Sequence, residues 1–239
     1  MLIFLDVETT GLESDDRVCS IGLIAIADAK TTVMYELVNE AKKISSKASS
    51  VNHITNEMIA DKLSFEKSEI YDFLQKHNTQ ETTIIAHNIH FDLAMLLASG
   101  FSFKGQIVDT LRVSKHLIPE CESYSLQFLR YELKLYKNEK EEAILLEIGE
   151  IVSHNALSDA LFVKLLYNYL LESSSHDELA RLSFENVLLL KFEFGKYQGR
   201  YIEEIAMNDR GYLEWMLSNI IDLDDDLRYS ISYYLEEQL

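Results

Sequence analysis

Three short segments of this 239-residue chain carry residues that could do chemistry together. The first, FLDVETTGL (Phe4–Leu12), sets Asp6 and Glu8 at the end of an apolar run that ought to be buried. Two residues apart on a strand, the two carboxylates point to one face of a sheet and can share a ligand. The second, IIAHNIHFDLAML, places Asp92 in the first turn of a helix that follows a buried strand. The third, HNALSDALF, holds His154 and Asp159. Their five-residue spacing would separate them by about 140° on a continuous helix. The simpler arrangement has His154 in the loop or first turn before the helix and Asp159 one turn inside it. Four acids suit a hard cation such as Mg²⁺, which prefers carboxylate and water oxygens, and leave the lone histidine poorly used as a ligand. Taken singly, each segment has an ordinary explanation: a solvated strand end, a helix-dipole acid and a surface histidine. His87 and His90 flank Asp92 at a spacing that reads as two loop histidines and not as a zinc pair.

The elements that must position these residues alternate between strand and helix signals. LIFLDVE reads as a buried strand, and VCSIGLIAIAD and TTVMYELVN as hairpin-connected strands, so the early sheet is antiparallel. FEKSEIYDFLQKH has helical spacing, TIIAH is another buried strand, and FDLAMLLASG is a helix stopped by Gly100. Asp109 in IVDT is a helix N-cap leading into LRVSKHLIP, where Pro119 ends the segment. SYSLQFLRYELKL is a helix capped by serine, and ALSDALFVKLLYNYLL is an amphipathic closing helix. The whole predicts an α/β domain with a mixed sheet flanked by helices over residues 1–172. The polar run SSSHDEL reads as a linker (173–181). A small α+β unit over 182–239 is expected to hold two short strands around Gly195 and Gly199, then helices through GYLEWMLSNI and LRYSISYYLEEQL. It is small enough that it should dock or oligomerise. Trp215 and Tyr212 are expected in its core, while Lys196, Tyr197 and Arg200 could form a phosphate-and-base platform.

Composition limits the function classes. With 47% hydrophobic residues and a mean hydropathy of −0.07, the chain has enough apolar side chain to fold as a globule. Only Cys19 and Cys121 occur, too few for a disulfide framework, and no apolar run is long enough to span a membrane. The opening MLIFL lacks a basic segment and does not read as a signal peptide, so a cytoplasmic protein is expected. The net charge of −18 argues against generic nucleic-acid backbone binding. Carboxylates gathered around divalent cations would nonetheless make a locally neutral or positive site. An acidic metal-dependent nuclease is therefore admissible, with a weak grip on long DNA.

Together the segments Asp6-x-Glu8, HNxxFD with Asp92, and HxAxxD with His154 and Asp159 resemble the three motifs of the DEDDh 3′→5′ exonucleases, which include polymerase proofreading subunits. They stand in the family's order, with a family-like VDTLRVSKHL between the second and third. FGKYQGRYIEEIAMNDRGYLEWML and the following DDLRYSISYYLEEQL resemble the C-terminal region of the exodeoxyribonuclease X group, so the likeness spans nearly the whole chain. It departs at VNHITNEMI, where Asn52 and His53 replace the family's usual His and its following Gly or Arg.

The resemblance implies an RNase H-like exonuclease fold and a pair of Mg²⁺ or Mn²⁺ ions ~3.5–4 Å apart. It implies Asp6 as the bridging ligand, Glu8 and Asp159 on the ion beside the attacking water, Asp92 on the second, and His154 as general base. With a reference pKa near 6.5, a histidine is suited to accept a proton from that water. It further implies substrate contacts by Thr9, Thr10, Leu12, Asn88 and Phe91, with main-chain groups at Thr9 and Thr10 meeting the terminal 3′ hydroxyl and Leu12 wedged against the terminal base. The expected substrate is the 3′ end of DNA, single-stranded or in a frayed duplex, with 5′-mononucleotides released in repair or end trimming. RNA trimming is the alternative, because nothing in these motifs reads the 2′ hydroxyl. A non-catalytic accessory subunit is the reading from another class. It has no chemical need for four acids and a histidine, although a protein partner through the C-terminal domain fits either reading.

Overall fold

The fold was obtained as a computed structural model that describes residues 1–28 and 30–237. Its elements are β1 (Leu2–Thr9), β2 (Val18–Ala27), β3 (Lys30–Leu37), α1 (Ser46–Asn52), α2 (Asn56–Ile59), α3 (Glu69–Lys76), β4 (Thr83–Ala86), α4 (Ile89–Ala98), β5 (Gln106–Asp109) and α5 (Thr110–Leu117). There follow α6 (Leu126–Glu132), α7 (Tyr136–Leu145), α8 (Ala156–Leu171), α9 (His176–Leu182), α10 (Ile202–Asn208), α11 (Arg210–Asn219) and α12 (Asp225–Glu237). The strands form one sheet in the order β3-β2-β1-β4-β5. β1, β2 and β3 pair antiparallel, and β4 and β5 run parallel to β1. This is the expected mixed sheet of an α/β domain.

Alternation along β1 divides the core between the two sheet faces. Ile3, Leu5 and Val7 pack with residues of α3 and α4, whereas Phe4 packs on the other face with Leu161 and Leu165 of α8. Phe4 also meets Tyr167 edge-on, with ring centroids 5.4 Å apart. Asp6 and Glu8 continue the Phe4 face, so the stripe facing α8 turns from apolar to acidic where that helix begins. The close approach depends on Gly22 of β2, which pairs with Asp6 across the ladder. A Cβ at Gly22 would lie 2.3 Å from the Leu157 nitrogen and 2.4 Å from the Ala156 carbonyl carbon. Glycine there lets the first turn of α8 rest on the sheet and brings Asp159 to the acids of β1.

Several expectations are corrected. The segment read as a linker is largely α9, capped by Ser175, with Leu179 and Leu182 buried against β5 and α5. The last of the serines that suggested a linker, Ser175, caps that helix by accepting the Glu178 N–H. The two short strands expected around Gly195 and Gly199 reduce to isolated bridges, Lys191 to Tyr201 and Phe192 to Gln198. Trp215 is 52% exposed and not in the core, although Tyr212 packs on it. Lys196 and Arg200 are paired with Asp209 and Glu204. Helices α1, α2, α7 and α10 were not foreseen. The last two residues of the helix expected at the C-terminus, Gln238 and Leu239, lie outside the described residues.

The C-terminal unit has its own small core of Phe192, Ile202, Leu213, Met216, Leu227 and Ile231. It docks on the sheet domain through Arg112 of α5, whose guanidinium grips both oxygens of buried Asp226 at 2.9 Å. Among the described residues, no helix is long and apolar enough to cross a membrane.

Candidate active site

β4 stops at Ala86, while β1 runs on past its last partner there, Phe4. That leaves the Val7 N–H without a strand neighbour on this side. The chain turns through Asn88 in the left-handed region (φ 66°) and enters α4, whose first turn delivers Asp92 to the open edge. Asp92 Oδ1 accepts the Val7 N–H at 3.2 Å. The turn is built by buried groups. Asp109 Oδ1 accepts from the Asn88 N–H at 2.9 Å, and His87 is held at both ring nitrogens, by the Thr110 hydroxyl (3.0 Å) and the Tyr124 carbonyl (2.7 Å). The nitrogen facing that carbonyl carries the proton. His87 thus lies in the loop, as the sequence suggested, and both its ring nitrogens are engaged in holding the turn. Burial holds its pKa below the ordinary histidine value.

On the α8 side, ligand oxygens of Asp6, Glu8 and Asp159 all lie within 4.8 Å of one another. Asp159 is buried in the first turn of α8, behind an N-cap in which the Asn155 side chain accepts the Ser158 N–H. His154 precedes that cap in the left-handed region (φ 58°), outside the helix, with its imidazole exposed. Its main chain hydrogen-bonds the Asp159 carboxylate. The fold therefore brings the four acids to one end of the sheet, with the histidine loop beside them.

The electrostatics are those of a site short of positive charge. Burial, then repulsion from Asp92, Asp159 and Glu8, raises the pKa of Asp6 well above the carboxylate range. Burial and the charges of Asp159 and Asp92 push Glu8 up to about 8, against a hydrogen bond from Asn52. Asp159 is pushed up to about 7 by burial, opposed by the His154 main chain, the Arg130 charge and the Gln127 side chain. Asp92 is raised by burial, against the Val7 hydrogen bond. Oxygen donors that repel one another at this distance fit hard divalent cations, which would offset that repulsion.

These shifts fix a pH dependence. Carboxylates protonated in the folded state and ionised in the unfolded state lower stability as pH rises above the unfolded value near 4, until the folded values near 7 and 8 are passed. Without metal, the melting temperature should accordingly fall between pH 5 and pH 8. Added Mg²⁺, which binds the ionised cluster, should raise it more at pH 8 than at pH 6. Scanning calorimetry in EDTA and in Mg²⁺ checks this, and a metal-induced shift that is equal at both pH values would refute it.

The resemblance-based substrate contacts separate. Leu12 is 74% exposed at the tip of the loop after β1. Asn88 and Phe91 flank Asp92, the first exposed and the second half-buried. Thr9 and Thr10, where the resemblance implies main-chain contacts, have buried side chains that are engaged inside the protein. The Thr9 hydroxyl donates to the Gly11 carbonyl (2.6 Å), and the Thr9 carbonyl accepts from Asn52 (3.2 Å). The Thr10 hydroxyl donates to Asp16 (2.6 Å), its N–H to Arg17 and its carbonyl accepts from Ser45. Asp16 then closes the loop by accepting the Glu13 N–H at 2.9 Å, so close to Gly11 that a Cβ there would meet its carboxylate at 2.3 Å. These threonines shape the turn that displays Leu12. Sequence reasoning missed Asp16, Gln127 and the support that Asn52 gives Glu8. Neutral amides carry no charge pattern to mark them, and Asp16 is one of several acids in its loop.

The exonuclease (RNase_T) family matches residues 3–167, and an exodeoxyribonuclease X-like C-terminal family matches residues 192–220. The chain is 28% identical to Exodeoxyribonuclease 10 of Escherichia coli (strain K12) over 239 residues, 99% of each chain. It is 28% identical to the 3′-5′ exonuclease DinG of Bacillus subtilis (strain 168) over 151 residues, 59% of this chain and 16% of that protein. A solved structure of Exonuclease X in complex with 5′ overhanging duplex DNA superposes with a TM-score of 0.58 at 25% identity, covering 77% of this chain and 99% of that one. Since the family match takes in β1 through α8, and with them every element that carries one of the four acids, the chain belongs to the exonuclease family.

Proposed function

We propose that this protein is a divalent-metal-dependent exonuclease that removes 5′-mononucleotides from the 3′ ends of DNA, single-stranded or frayed, in repair or end trimming. The observation that carries this is the gathering of Asp6, Glu8 and Asp159 within 4.8 Å from two separate elements, with Asp92 delivered by a third. Two Mg²⁺ or Mn²⁺ ions held there would neutralise phosphoryl charge, acidify the attacking water and stabilise the leaving O3′. Asp6 holds the centre of the ligand set, Glu8 and Asp159 one side, and Asp92 the other. His154, exposed beside Asp159, takes the proton of the attacking water. Leu12 abuts the terminal base, and Asn88 and Phe91 line the opposite wall. DNA as substrate and the 3′→5′ direction are supported by the relatives' names and by the DNA in the solved complex. We place the protein in the cytoplasm and take residues 182–239 as an accessory domain open to a protein partner.

A 5′-labelled single strand should give a descending ladder in Mg²⁺ and nothing in EDTA. Rapid cutting of a closed single-stranded circle would reveal an endonuclease and sink the end-binding assignment. Equal digestion of a matched RNA would move the substrate class and leave the chemistry in place.

A further inference from the structure

Arg130 is a buried cation, 8% exposed, outside the group of four acids. Its Nε and Nη2 form a bidentate bridge to Glu139 of α7 (2.6 and 2.7 Å), and its guanidinium stacks 4.1 Å from the ring centre of Phe162 in α8. The remaining nitrogen, Nη1, serves two acceptors, Gln127 Oε1 at 3.1 Å and Ser153 Oγ at 3.2 Å. Gln127 lies three residues before Arg130 on the same face of α6. Because a guanidinium only donates, the Gln127 atom that faces it is the oxygen. The amide NH₂ is thereby turned the other way, and it donates to Asp159 Oδ1 at 2.7 Å. Ser153 is the residue before His154, in a stretch with little regular structure.

We propose that Gln127 and Arg130 are positioning residues of the active site: Gln127 fixes the Asp159 carboxylate, while Arg130 orients Gln127 and, through Ser153, anchors the loop that carries His154. A bridge that served only to join α6 to α7 would need Glu139 and nothing more. The third nitrogen instead divides between the two approaches to the third motif. Fixing one Asp159 oxygen sets the plane of the carboxylate before any cation arrives, as hydrogen-bond partners of ligands commonly do. The inference rests on the reading of Asp159 as a metal ligand and His154 as the base.

Mn²⁺ binding by isothermal titration calorimetry tests it on the full chain, alongside kcat at saturating Mn²⁺ on a 5′-labelled strand. Gln127→Met keeps side-chain length and the Arg130–Glu139 bridge but removes the amide. It should raise the Mn²⁺ Kd by about tenfold, the lower end of what such partners contribute, with its melting temperature in EDTA not reduced. Arg130→Lys keeps the charge and loses the fork. It should raise the Kd comparably and also lower kcat at saturating Mn²⁺, because the Ser153 tether is lost as well. Parental Mn²⁺ affinity in Gln127→Met would overturn the proposal, and that variant decides alone if Arg130→Lys fails to fold. A parental protein that binds Mn²⁺ yet digests no DNA would overturn the functional reading instead, leaving the Kd comparison intact.

Discussion

Asp6→Asn is expected to lower kcat on DNA by about three orders of magnitude or more, because bound cations supply several kcal/mol of transition-state stabilisation and each ~1.4 kcal/mol is a factor of ten. Asp6 is the acid on which the charges of Asp92, Asp159 and Glu8 all act, so it sits at the centre of the set. Asparagine is nearly isosteric and removes one negative charge from a group of mutually repelling carboxylates. The metal-free variant should therefore melt no lower than the parent, and the pH-dependent loss of stability should shrink. Mg²⁺ should raise its melting temperature less than the parent's. This opposite movement separates a ligand from a residue that merely supports the fold, whose loss would lower both activity and metal-free stability. A folded Asp6→Asn variant that digests DNA at the parental rate in Mg²⁺ would show that the site is misassigned.

His154→Ala should lower turnover by the ~10²–10⁴-fold typical of a lost acid–base catalyst. Metal and DNA binding should remain, since all four carboxylates are intact. The exposed imidazole packs into no core, so melting temperature should hardly change. The sharper measurement is the pH profile. A general base contributes a limb to the pH–rate profile on the acid side, and that limb should vanish in the variant. Protonation of Glu8 and Asp159, with values near 8 and 7, would produce a similar decline through lost metal affinity. Working at saturating Mn²⁺ separates the two, because excess metal restores a weakened site and cannot supply a missing base. Full rescue of the alanine variant by Mn²⁺ would demote His154 to a residue that shapes the metal site.

Much of this was legible in the sequence because it depends on local periodicity. The two-residue repeat put Asp6 and Glu8 on one face of β1, and the helical patterns put Asp92 in a first turn after a buried strand and Asp159 one turn inside its helix, close to where the first turns of α4 and α8 hold them. The strand and helix alternation gave the mixed sheet, and the order of the three motifs pointed to the exonuclease family. What the sequence could not decide was which polar groups are left free once the chain folds. The hydroxyls of Thr9 and Thr10 are taken up by Gly11 and Asp16, because the turn that lifts Leu12 needs its own buried hydrogen bonds. The serines of SSSHDEL looked like a linker because cap and linker share the same composition. Only the apolar contacts of Leu179 and Leu182 with β5 and α5 make the segment a packed helix. Trp215 was expected in the small core, but that unit fills its interior with Phe192, Tyr234 and aliphatic side chains and leaves the indole half outside.

Partnerships that span dozens of residues belong to the tertiary structure alone. Gly22 is an ordinary strand glycine until α8 lies on it, Asp109 a simple N-cap until it also holds Asn88, and Gln127 an unremarked amide until Arg130 turns it toward Asp159. Residue types and spacing determined what chemistry this chain can do, since carboxylate ligation and strand geometry follow from local bonding. Which neighbours hold those carboxylates, and how far repulsion and burial shift their protonation, depends on distances set by packing, which no local pattern encodes.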